Sequence, residues 1–98
     1  MHPSTSTAAR VIRGDDPFDL AAAQRIARAL AAGGEEAVEV DLRHVRVFHD
    51  HGVAYLGEVL AAFVGWVSVR GLRQHHFRLL RYLGISPGAN LGAEDEAA

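Results

Sequence analysis

The chain has no cysteine. That removes a disulfide scaffold, thiol redox chemistry and thiolate metal sites at once. It has no uninterrupted apolar run approaching the length of a membrane span. Its first residues, Met1-His2-Pro3-Ser4-Thr5-Ser6-Thr7, lack both the basic start and the apolar core of a secretory signal. Charge of one sign is also scarce: the formal balance is -2, which gives no electrostatic case for nucleic acid. What is present is apolar. Hydrophobic residues make up 49% of the 98 positions, which argues against wholesale disorder and for one domain with a modest core. These bounds lead us to expect a small cytoplasmic protein with protein partners, no nucleic acid and no membrane insertion.

One stretch, residues 36–63, organises the rest. Val38, Val40 and Leu42 alternate with polar residues, as a half-buried strand requires. After Arg43-His44 the apolar character resumes at Val45-Arg46-Val47-Phe48, and then His49-Asp50-His51-Gly52 carries almost no hydrophobic payload. Beyond it the period changes to helical, with Leu56, Val59, Leu60 and Phe63 on one face. A strand therefore runs into a polar turn that opens a helix, where free backbone amides point outward. Any working site is expected there.

In chain order, residues 9–13 suit a short edge strand centred on Val11 and Ile12. Gly14-Asp15-Asp16-Pro17 is a turn, and Asp19 has the right chemistry for an N-cap. Leu20, Ala23, Ile26, Ala27 and Leu30 predict an amphipathic helix from Leu20 to Ala32, ended by Gly33-Gly34. The central helix should stop near Val64 and Gly65. Val67 and Val69 predict a further strand with Ser68 and Arg70 on its other face. Residues 73–83 predict a third helix with Phe77, Leu80 and Leu83 inward, closed by Gly84 with Ile85 folding back. Three alternating strands and helices predict an α/β fold. Its small, mostly parallel or mixed sheet carries helices mainly on one face, leaving the other open or covered by a partner. A single domain is expected over 10–85, with flexible termini at 1–9 and 86–98.

Asp41-Leu42, Phe48, His49-Asp50-His51-Gly52 and Val53 together resemble the core motif of STAS domains, the fold of bacterial anti-sigma factor antagonists. In that motif a strand ending in Asp-Leu leads through a short apolar link to Asp-Ser-Ser-Gly-Leu at the start of a helix. Val67-Ser68-Val69-Arg70-Gly71-Leu72 resembles the next family strand, and Leu79-Leu80-Arg81-Tyr82-Leu83-Gly84-Ile85 its leucine-rich helix end. Gly14 and Asp19 resemble an earlier family element more weakly. The resemblance spans roughly residues 10–85. It implies a STAS-like fold and a non-catalytic protein-interaction module acting in signal transduction and transcription regulation. Its partner would be an anti-sigma factor, a switch kinase or another STAS protein, with homodimerisation left open. The implied partner-binding surface is His49, Asp50, His51, Gly52, Val53 and Tyr55. His51 occupies the position of the family's phosphate-accepting hydroxyl, so no serine switch is implied. The chain also departs in its His49, and against the family's additional N-terminal strand and longer middle helix it looks trimmed at both. Other roles within the same fold are a small subunit of a transporter ATPase and a scaffold. A histidine-based metal- or ligand-binding domain is the different-class alternative.

Each feature also has a plainer explanation. Asp50 either imitates a phosphorylated side chain or, more simply, caps the helix. His49 and His51 read as surface histidines rather than ligands, and His75 and His76, adjacent on a helix, point apart. Arg70, Arg73, Arg78 and Arg81 read as a solvated face. Trp66 reads as a cap on the core or, failing that, as a partner anchor. With no cysteine, and with Ser68 on a strand away from the histidine turn, no activated nucleophile is expected. Neither an enzyme activity, a cofactor nor a metal is called for.

Overall fold

The computed structural model describes residues 10–33, 37–85 and 91–92. Among these residues four strands and three helices alternate: β1 (Arg10–Arg13), α1 (Leu20–Ala32), β2 (Val38–Asp41), α2 (Asp50–Ala62), β3 (Val67–Arg70), α3 (Gln74–Tyr82) and β4 (Leu91–Gly92). All pairings are parallel, and strand order in the sheet is β1-β2-β3-β4, the order of the chain. The expected termini at 1–9 and 86–98 lie outside the described residues, apart from Leu91 and Gly92, as do Gly34, Glu35 and Glu36. β4 adds a fourth strand beyond the expected domain end at residue 85. No described helix is long and apolar enough to cross a membrane.

Neighbouring parallel strands joined in sequence by right-handed crossovers put their helices on one side of the sheet. The side chains agree. Val38, Val40, Val67 and Val69 are buried, while Glu39, Asp41, Ser68 and Arg70, one residue on, remain partly accessible. Register aligns Ile12 with Val40 and Val69 on the helix side. Opposite, Val11, Glu39 and Ser68 form one row and Arg13, Asp41 and Arg70 the next. Arg43 closes on Asp41 through Nε at 3.0 Å and a second nitrogen at 3.1 Å. The other face is therefore a charged one, and it explains why β2 and β3 alternate rather than run continuously apolar.

α1 forms where expected because both ends are specified. The Asp19 carboxylate accepts from the Ala22 amide at 2.9 Å, and Gly33 ends the helix with its N–H on the Leu30 carbonyl. The Arg10 side chain donates to the Ala29 carbonyl in the last turn, where a cation suits the helix dipole. The buried stripe is Ala22, Ala23, Ile26 and Leu30, so Leu20 lies exposed at the helix start rather than inside. α1 packs on α2 and α2 on α3. The small residues Ala22, Ala23 and Gly57 allow this; a Cβ on Gly57 would come within 2.6 Å of Leu80.

α3 departs from expectation at its end. Leu83 is 48% exposed, not inward. The helix stops at Tyr82, and Gly84, at φ 77°, reverses the chain. The Gly84 amide then reaches the Arg81 carbonyl and the Ile85 amide the Leu80 carbonyl, a Schellman closure that swings Ile85 onto the core in place of Leu83. Trp66 is also corrected: at 66% exposed it does not cap the core.

Gly71 has φ 106°, and a Cβ there would lie 2.5 Å from the Leu42 carbonyl carbon. Conformation and space thus both demand glycine. Gly71→Ala should lower the unfolding free energy in a urea titration by about 2 kcal/mol or more. Gly84→Ala, also left-handed but in open space, should cost about 1 kcal/mol.

Candidate functional site at the carboxyl edge of the sheet

All three helices start where β1, β2 and β3 end. The two segments leaving β1 and β2 are clasped together. The Phe18 amide donates to the Val47 carbonyl at 2.8 Å, and the His49 amide donates to the Phe18 carbonyl at 3.0 Å. The Phe18 and Phe48 rings pack with centroids 6.0 Å apart, Phe18 fully buried. Asp16 adds a carboxylate that accepts from the Arg46 amide at 3.1 Å and the Val47 amide at 3.2 Å. His44 donates from Nε2 to the Gly14 carbonyl at 2.7 Å. The polar turn therefore sits on a fixed base.

Gly52 is part of that base. A Cβ on it would lie 2.7 Å from the Asp19 carbonyl oxygen and 2.9 Å from that of Phe18. Only a glycine lets the first turn of α2 approach the start of α1 this closely. Val53 is 1% exposed and belongs to the core. Gly52 and Val53 are thus corrected from partner-contacting residues to supporting ones: the helix turns them inward. His49, Asp50 and His51 are exposed. Tyr55 is partly buried and turns the other way, into a shallow groove with Gln24, Ala27, Arg28 and Ala31. The expected surface therefore divides, with the 49–51 turn separate from Tyr55.

Asp50 is not the N-cap. His49 takes that position with no side-chain cap bond, and Asp50 is the first helical residue. Its carboxylate still favours the positive end of the helix. The Gly52 and Val53 amides bond back to the His49 carbonyl.

On its other flank the turn borders an open cleft of about 600 Å³, lined by Arg43, Arg46, Phe48, Asp50, Arg73 and His76 among others. His76 is the residue that sequence reasoning missed. It is buried, its Nδ1 accepts from the Arg73 amide at 2.9 Å, and its ring packs against Phe48 at 4.4 Å. The expectation that His75 and His76 point apart is corrected as well: their ring centroids are 4.0 Å apart. The signal available was position, since His76 lies four residues before Leu80 and shares its inward face. Arg73, one of the expected basic row and the N-cap of α3, lines the cleft together with Arg46. Among the described residues no three His, Asp or Glu side chains come together as a metal site would need.

Burial lowers the His76 pKa from 6.5 to about 4, helped by nearby His75 and Arg73 and opposed by Asp50. Asp41 is held down at about 2 by its side-chain and backbone hydrogen bonds with Arg43. Both act on acid stability, in separate windows. Between pH 6.5 and about 4 the unfolded chain takes up a proton that folded His76 refuses. Stability is therefore full above that window and should fall by up to about 3 kcal/mol across it. The Asp41 contribution is kept until about pH 3.8 and lost toward pH 2. In denaturant titrations at a series of pH values, His76→Leu should flatten the upper limb while lowering stability at neutral pH. His51→Gln, at an exposed site, should leave that limb unchanged.

Set against protein-family models, curated proteins and solved structures, the chain gives no match in any of the three comparisons, and the site stands on its own geometry.

Proposed function

We propose that the protein is a non-catalytic, STAS-like protein-interaction module of the cytoplasm, whose docking element is the exposed turn His49, Asp50, His51. The observation that carries this reading is the turn's mounting. Three adjacent exposed polar side chains stand at the carboxyl end of a parallel strand, on a backbone clasped to its neighbour through Phe18 and Val47 and seated by Gly52. Rigid scaffolds of this kind carry binding residues on the loops at strand ends. The parallel βα order and the resemblance of the turn to the STAS motif support the same reading. The partner is a regulatory protein, such as an anti-sigma factor or switch kinase, or another STAS protein.

Chemistry of the acyl- or phosphoryl-transfer kind finds little to work with. Ser68 is the single serine or threonine among residues 10–85, and it lies on the sheet face opposite the helices. His51 stands where the family carries its acceptor hydroxyl, and Asp50 places a fixed negative charge beside it. The module is accordingly a fixed-state binder, not one toggled by serine phosphorylation, which would add about two charges.

The test is capture of the partner from the host, followed by titration against wild type and variants. The double variant Asp50→Ser, His51→Ser should change the affinity roughly tenfold or more, as substitutions at the centre of an interface do. Arg78→Ala, exposed on α3, should not. A partner whose affinity ignores positions 49–51 would end this reading, as would native protein carrying stoichiometric phosphate on the turn.

A further inference from the structure

The cleft beside the turn contains a hydrogen-bond donor with nothing to donate to. His76 is 4% exposed, and its Nδ1 is occupied by the Arg73 amide. A neutral imidazole whose Nδ1 accepts must carry its proton on Nε2. Among the described residues no acceptor meets that Nε2–H. Since His76 lines the cleft, Nε2 is the group it has left to offer there. A donor so placed is free to take an acceptor from outside the chain. Packing against Phe48 holds the ring in place.

The charges around it have the same polarity. Arg43 is neutralised by Asp41. Arg46 and Arg73, both exposed and both lining the cleft, have no carboxylate in ion-pair range among the described residues. Asp50 also lines the cleft and opposes an anion, but the two free guanidiniums outnumber it. α3, nine residues long, begins at the cleft with no acidic residue in its first turn. The His76 and Phe77 amides return to the Arg73 carbonyl, which leaves those of Gln74 and His75 open among the described residues. This local positive field occurs in a chain whose formal charge is -2.

We propose that this cleft binds a phosphomonoester dianion, gripped by Arg46, Arg73, the Nε2–H of His76 and the open amides at the start of α3. Donors converging from a loop, a helix start and a buried ring suit a tetrahedral oxyanion with several acceptor oxygens better than a flat carboxylate. The cleft, at about 600 Å³, has room for the esterified group as well as the phosphate. The low pKa of His76 keeps it a neutral donor at physiological pH, able to bond without gaining charge. The site does not require that the neighbouring turn dock a protein.

The experiment titrates the full chain, isotopically labelled, with inorganic phosphate and with O-phosphoserine, and reads backbone amide and histidine ring shifts. Saturable shifts at Gln74, His75 and His76 are expected with both probes, at millimolar concentration or below. Sulfate should compete and acetate should not. Arg46→Ala and Arg73→Ala should each weaken binding roughly tenfold, the loss of one charged hydrogen-bonding group. Arg81→Ala removes the same charge at the far end of α3 and should leave binding unchanged. Three outcomes would overturn the proposal: no saturable response, a loss in Arg81→Ala equal to that in Arg73→Ala, or binding of free phosphate with none of phosphoserine. Both decisive arginines are exposed, so their variants keep the fold in which binding is read.

Discussion

The clasp between the two strand exits is the contact on which the functional end of the molecule depends. Two backbone hydrogen bonds, through the amide and the carbonyl of Phe18, continue the pairing of β1 and β2 past the sheet itself. They fix where α1 and α2 begin relative to each other. Gly52 is the geometric consequence, since the helix start it belongs to touches the Phe18 and Asp19 carbonyls. Gly71 does the equivalent service between β3 and the Leu42 corner. Two close backbone approaches, each permitted by the absence of a side chain, thus gather three helix starts along one edge.

That edge concentrates the positive ends of three helices, and its side chains answer the field in different ways. At α1 the Asp19 carboxylate caps directly. At α2 Asp50 supplies charge without capping. At α3 there is no acid at all, and a cation and two imidazoles stand there instead. The first end is closed from within the chain, and the second is balanced by a charge but not capped. The third is left positive, and His76 beside it has its remaining donor free. This gradation from closed to open is what distinguishes the cleft from the other helix starts.

Much of this was legible in the sequence where local chemistry decides the outcome. α1 runs from Leu20 to Ala32 as expected because Asp19 and Gly33 mark its ends without help from the tertiary structure. β2 and β3 were legible because one sheet face is charged, which preserves the alternation that a parallel sheet covered on both faces would erase. The failures are positions where packing overrides composition. Val53, next to three exposed polar residues, belongs by helical phase to the core. Leu83, apolar and in register with Leu80, is turned outward by a chain reversal one residue later, and Ile85 fills its place. His76 looks like a surface residue by type, and its burial depends on Phe48, a partner far off in sequence. β4 has only two residues and no period to detect.

Strand order that repeats chain order has a consequence for how the molecule is made. Each strand pairs with the one synthesised just before it, so no segment waits for a distant partner to be placed between two existing strands. A ribosome emits residues slowly compared with the rate at which a helix forms or a loop closes. The first unit, β1-α1-β2 with its Phe18 clasp, is complete in sequence once residue 49 has emerged, and it offers β3 a ready edge. Growth can then proceed from the amino end, one strand and helix at a time, with a single free strand edge advancing along the chain.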